Sequence, residues 1–219
     1  MKILRLGATG RTGKYVIDEA LKKGHKVSAI ARDPDKLKNY EIDIIQGTPY
    51  DYETVEKALT GCDAVINTLN VSRKSDNPWS PLAAPKDLIS KSASNAIKAM
   101  EKTGIKRFVA LSTIGAGRSW KTSPAVLRFF VSISNLRYAF VDHGKQEELL
   151  ENSSIDYTIC RAPMLSSEVN SSGAIATREN EIPKSMKLSR NSAAEIFIKI
   201  IENKEFIRQT VSLSNNILE

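Results

Sequence analysis

Gly7-Ala8-Thr9-Gly10-Arg11-Thr12-Gly13 places three glycines at a spacing of three, directly behind the apolar run Lys2–Leu6. Residues of these types at this spacing can bind phosphate. Glycine allows a tight strand-to-helix turn, lets a pyrophosphate approach the backbone and permits close helix–strand packing. The helix that starts here then turns free N–H groups toward anionic oxygens. Gly7, Thr9, Gly10, Arg11, Thr12 and Gly13 are therefore the expected cradle of a dinucleotide. Nineteen residues past Gly13, at the end of the next apolar run, stands Arg32. An NAD-preferring site carries an acid there to hold the ribose hydroxyls, whereas a guanidinium pairs with a 2′-phosphate and stacks on adenine. Arg32, with Arg11 assisting and Lys36 adding charge, points to NADP(H) in preference to NAD(H).

These residues need a scaffold, and the hydrophobic pattern supplies one. Lys2–Leu6, Lys26–Ala31, Ile42–Gln46, Ala64–Thr68, Arg107–Leu111 and Tyr157–Arg161 read as strands buried on both faces. Helical patterns alternate with them over Thr12–Lys23, Thr54–Leu59 and Lys86–Lys102. Gly24, Gly61 and Gly104 stand where those helices should stop. Such alternation predicts an α/β chain with a Rossmann-like, doubly wound, mostly parallel sheet and helices on both faces. Beyond Leu111 the pattern loosens into a Ser112–Ser123 loop, an apolar stretch over Pro124–Val141, and a helix near Asp142–Asn152. An irregular segment over Ala162–Pro183 follows, then a helix over Ser192–Asn203 and a strand over Gln209–Leu213. Residues 1–219 read as one domain, with 162–190 forming a small C-terminal substrate cap.

The chain has 219 residues, 41% of them hydrophobic, and a formal net charge of +7. That is enough apolar surface for one sizeable core, and no run is long and apolar enough to span a membrane. The basic excess is spread in ones and twos, such as Lys22-Lys23 and Lys106-Arg107, rather than in the dense runs of nucleic-acid tails. Neither nucleic acid nor membrane is expected as a partner. Cys62 and Cys160 lack metal-ligand spacing and sit in apolar stretches, which predicts buried free thiols, no metal and a cytoplasmic location.

The Gly-x-x-Gly-x-x-Gly spacing resembles that of atypical short-chain dehydrogenases/reductases. More narrowly, the chain resembles the NmrA-like and flavin reductase/biliverdin-IXβ reductase group. The likeness lies in Gly7–Gly13, in Arg32-Asp33-Pro34-Asp35-Lys36-Leu37, in Gly61-Cys62-Asp63-Ala64-Val65-Ile66, and in Asp156-Tyr157-Thr158-Ile159-Cys160-Arg161-Ala162-Pro163. The resemblance implies that Thr68-Leu69-Asn70 passes near the nicotinamide ribose and that Ser112 and Thr113 stand near the nicotinamide. The adenine-contacting Asp that follows a Gly at the third strand of the family is replaced here by Thr48.

Carbonyl-reducing relatives use Tyr-x-x-x-Lys, because an alkoxide formed by hydride addition must be protonated. Lys145 matches the Lys, but Val141 stands at the Tyr position, with Tyr138 one turn back. A His used by biliverdin reductases aligns with Glu147, with His143 a turn earlier. Ser112, Thr113, His143 and Lys145 are thus the candidate catalytic set, without a dedicated acid. Hydride transfer to a flavin, quinone or similar planar acceptor tolerates that loss, since a delocalised anion takes its proton from water. Trp120 is a candidate stacking surface. A non-catalytic NADP(H)-binding regulator is the alternative; a sugar-nucleotide epimerase or dehydratase ranks below both.

Overall fold

The computed structural model describes residues 1–168, 173–178 and 185–216. In chain order the elements are β1 (Lys2–Leu6), α1 (Arg11–Lys22), β2 (Lys26–Ala31), β3 (Asp43–Gln46), α2 (Tyr52–Leu59), β4 (Ala64–Asn67), α3 (Leu88–Thr103) and β5 (Arg107–Thr113). They are followed by α4 (Ala125–Ile133), α5 (Leu136–Glu151), β6 (Asp156–Ala162), β7 (Met164–Ser166), β8 (Ala174–Arg178), β9 (Lys187–Ser189), α6 (Arg190–Glu202) and β10 (Gln209–Asn215).

The main sheet runs β3-β2-β1-β4-β5-β6-β10-β8, parallel throughout except for the antiparallel edge strand β8. β7 and β9 form a separate parallel pair. The expected doubly wound architecture is present, because each right-handed crossover lays its helix on one face or the other. Along β1 the two-residue period sends Ile3 to a core shared with α1 and α6, and Leu4 and Leu6 to a core shared with α2 and α3. Both faces are covered, so the strands read as continuous apolar runs.

Two expectations change. The segment read as irregular after Ala162 contains β7, β8 and β9, strands of three to five residues. They are too short for periodicity to register; the rest of that segment, 169–172 and 179–184, lies outside the described residues. The Pro124–Val141 stretch divides into α4 and the first turns of α5, so α5 starts at Leu136 rather than near Asp142.

The reason lies in which side of α5 faces inward. Asp142, His143, Gln146 and Glu147 are all buried. Asp142 accepts from the Ile89 and Ser90 N–H groups at 2.7 and 3.3 Å, capping α3 from a neighbouring helix where Asp87 makes no side-chain cap. Gln146 accepts from Asn67 Nδ2 at 2.6 Å and donates to the Leu111 carbonyl at 3.0 Å, tying the ends of β4 and β5 together. A helix that buries polar groups this way escapes an amphipathic pattern search.

His143 is 4% exposed and its Nδ1 has no partner among the described residues. Burial pushes its pKa down to about 4. The depressed folded value means that the unfolded chain binds the proton more readily between about pH 6.5 and 4. The resulting stability is present above that window and is lost as pH falls through it. Between pH 7 and pH 5 this group should cost on the order of 2 kcal/mol of stability. His143→Gln should flatten that part of the urea-midpoint profile. The comparison with the parent isolates His143 from Asp142, whose burial-raised pKa acts in the opposite direction.

Candidate functional site

The carboxyl ends of β1, β2, β4 and β5 open on a groove of about 580 Å³ lined by Gly7, Thr9, Gly10, Arg11, Thr12, Arg32, Thr68, Leu69 and Asn70 among others. This is where ligands bind in open α/β sheets. The glycines build the floor by close approach. A Cβ on Gly13 would overlap the carbonyl oxygens of Gly7 and Ala8, so α1 could not sit this near β1 with any other residue there. Gly13 thus lies behind the groove instead of lining it.

The N-terminus of α1 is built for an external anion. Its N-cap is Gly10, no side chain caps it, and its first turn holds no acid. By contrast, Asp51 caps α2 and Ser189 caps α6 with their own side chains. Free N–H groups at the positive end of the helix dipole fit a pyrophosphate. The residues present therefore suit the dinucleotide that the glycine spacing implies.

Arg32 is exposed, lines the groove and forms no ion pair among the described residues, leaving it available for a phosphate. Lys36 instead reaches Asp33 at 3.6 Å. Arg11 is not free: its guanidinium is bidentate to Asp76 at 3.0 and 3.1 Å, bridging from the glycine turn to the loop after β4. Thr68 accepts from Arg5 Nη2 at 2.9 Å, and the Leu69 N–H is held by Asn67 Oδ1 at 3.0 Å, which fixes the turn on the far wall. Thr48 accepts from the Tyr50 N–H at 3.3 Å and is not among the groove-lining residues.

A second cavity of about 280 Å³ continues from the groove. Asn70, Arg73, Leu111, Leu165 and Arg190 border both spaces; Ser112, Thr113, Phe140, His143 and Pro163 border this cavity and not the groove. Ser112 donates to Glu147 Oε1 at 2.6 Å, and Arg161 holds the same carboxylate through Nε at 3.1 Å and Nη2 at 2.8 Å. Gly117 covers Glu147 so closely that a Cβ would collide with Oε2. Glu147, at the position where the resemblance puts a His used by biliverdin reductases, is thus a buried carboxylate held between Ser112 and Arg161.

Three residues singled out in the sequence border neither the groove nor the adjoining cavity. Lys145 points the opposite way along α5 from His143 and lines a surface groove with Ser94, Glu101 and Glu148 on the α3 side. Tyr138 has its hydroxyl bonded by Arg137 at 3.0 Å and borders neither the groove nor the adjoining cavity. Trp120 lines a neighbouring cavity with Gly115, Val131 and Phe140, edge-on to Phe140 at 6.2 Å. Sequence reading missed Arg190, placed by the first turn of α6, and Arg73 in the loop after β4. The sequence pattern starts that helix at Ser192, so Arg190 reads as lying before it, and only the structure puts it in the first turn of α6.

Comparison with known proteins agrees with this geometry. Ycf39 of Guillardia theta, a photosystem II assembly factor, is 28% identical over 97% of this chain and 64% of its own length. A phenylcoumaran benzylic ether reductase of Nicotiana tabacum, TP7, is 35% identical over 34% of this chain and 28% of its own length. The chain thus spans less than two thirds of each of these relatives. Among solved structures, ChuY of Escherichia coli O157:H7, an anaerobillin reductase, superposes with a TM-score of 0.81 at 20% identity, covering 100% of this chain and 99% of that one. A short-chain dehydrogenase/reductase of Veillonella parvula in complex with NADP gives 0.76 at 16% identity, covering 97% and 94%. Those two likenesses speak to the fold. The model of the NAD(P)H-binding family matches residues 7–204, and the chain belongs to that family.

Proposed function

We propose that the protein is an NADPH-dependent reductase that delivers hydride to a small planar acceptor such as a flavin, a quinone or a related conjugated molecule. The observation that carries this reading is the shared wall: the dinucleotide groove runs without a break into the cavity of Ser112, Thr113 and His143. A ligand stretched along the groove from Arg32 past the glycine turn has its far end at Asn70 and Leu111, against that cavity. A reduced nicotinamide bound there supplies two electrons and a proton as hydride.

The residues of the chain then hold the acceptor and receive it after reduction. Leu111, Ala162, Pro163 and Leu165 exclude water from the contact face, and Thr113 offers a hydroxyl at its edge. His143 remains neutral at physiological pH because its pKa is about 4. It can hydrogen-bond to an anionic acceptor but is a poor proton source, so the proton comes from water. A delocalised product anion tolerates this; a localised alkoxide does not. The missing tyrosine, with Val141 exposed in its place, thus favours conjugated acceptors over simple carbonyls. Preference for NADPH rests on Arg32, and similarity to ChuY, an anaerobillin reductase, adds weight to a flat acceptor.

Arg32→Asp should weaken NADPH binding by about ten- to a hundredfold, with less than about threefold change for NADH. Isothermal titrations with both cofactors read this, and equal losses would overturn the NADPH assignment. Mixing the protein and NADPH with flavins, quinones and linear tetrapyrroles should oxidise the cofactor with at least one class. Tight NADPH binding without oxidation by any acceptor would instead identify a cofactor-sensing regulator.

A further inference from the structure

Buried arginines in this fold are answered in different ways. Arg161 is 2% exposed and ion-paired with Glu147. Arg107 donates to the carbonyls of Asp156, Ile200 and Glu205. Arg5 donates to the Ile66 carbonyl and to Oγ1 of the groove-lining Thr68. Arg190 is 7% exposed, donates through Nη1 to Ser167 Oγ at 2.8 Å, has no ion pair among the described residues, and leaves Nε without a partner, as Arg5 and Arg107 also do. It is the one buried arginine that borders both the groove and the adjoining cavity.

Its placement is costly in two further ways. Arg190 occupies the first position of α6, where the helix dipole repels a cation. Burial and the nearby charge of Arg11 disfavour its protonated form, and Tyr15 and Asp76 offset only part of that, so its pKa lies below the usual arginine value. A buried charge without an ion-pair partner is expensive unless an anion meets it. Bordering the same two spaces is Arg73, whose Nε donates to the Asn77 carbonyl at 3.1 Å while the rest of its guanidinium has no partner among the described residues. No described residue lining the acceptor cavity is acidic, and the unpartnered Nδ1 of the buried His143 belongs to that same wall.

Given the reading of this cleft as a dinucleotide groove with an acceptor cavity, we infer that Arg190 and Arg73 form an oxyanion subsite selecting planar acceptors that carry a carboxylate or phosphate. The conjugated part lies against Leu111, Pro163 and Leu165, and the acid group meets the two guanidinia at the seam. Arg190 is then a specificity residue: it supplies charge-assisted hydrogen bonds to the acceptor's substituent and takes no part in hydride transfer.

The test is equilibrium binding of FMN and riboflavin, which share one ring system and differ by a phosphate, followed by flavin fluorescence with NADP⁺ saturating. The protein should bind FMN at least about tenfold more tightly than riboflavin. Arg190→Met should bring FMN to the riboflavin level and leave riboflavin unchanged; Arg190→Lys should restore part of the difference. Arg73→Met, in an exterior loop, should reduce the same ratio and carries the test if Arg190→Met fails to fold. A protein that binds both flavins alike, or neither, overturns the inference. So does an Arg190→Met variant that keeps the FMN preference while losing about tenfold in NADP⁺ affinity, because the guanidinium would then serve the cofactor's pyrophosphate. Binding requires no turnover. Selective FMN binding without any NADPH oxidation would remove the reductase reading and leave the subsite standing.

Discussion

The site depends on a helix that buries the wrong kind of residues. The inward face of α5 carries Asp142, His143, Gln146 and Glu147, and three of these are committed to other elements: the start of α3, the ends of β4 and β5, and the ends of β5 and β6. Apolar packing is non-directional and would let strand ends slide, whereas a buried hydrogen bond left unmade costs the full desolvation of its groups. The polar seam therefore fixes the edge of the cleft to within hydrogen-bond tolerance. His143 is the member of that face left with a free ring nitrogen, and it is the one at the cavity.

Much of the scaffold was legible because it follows simple rules. Strands buried on both sides must be continuous apolar runs, and Gly13 must lack a side chain because α1 sits almost on β1. Gly24, Gly61 and Gly104 all take the left-handed conformation expected after a helix end. The phosphate cradle was readable for the same reason: its constraint is local and steric. The substrate side was not. Ser112, Thr113 and His143 could be named, but the roles of Glu147 and Lys145 were decided by which face of α5 turns inward. A polar inward face hides that choice from any hydropathy pattern. Arg190 and Arg73 come from segments far apart in sequence, and only the fold shows that they border one opening.

The arrangement of charge also acquires an order. Of the basic excess, Arg161, Arg107 and Arg5 serve internal cohesion, while Arg32, Arg73 and Arg190 face the continuous cleft. The sheet thus carries a line of cations along its carboxyl edge with few acids to answer them. Asp76 is the acid in that lining, and it is already committed to Arg11.

That Arg11–Asp76 bridge has a kinetic side. Both side chains are largely exposed, so the pair contributes little to stability and is easily broken. It nevertheless spans the entrance to the glycine turn. A phosphate that recruits Arg11 must displace Asp76, exchanging one carboxylate for another oxyanion at small net gain, and the loop that carries Arg73 then loses one of its ties while keeping those to Ile133 and Asn135. Salt weakens the tether as well as long-range attraction. Ionic strength therefore acts on cofactor arrival in two opposing ways, slowing encounter while loosening the gate.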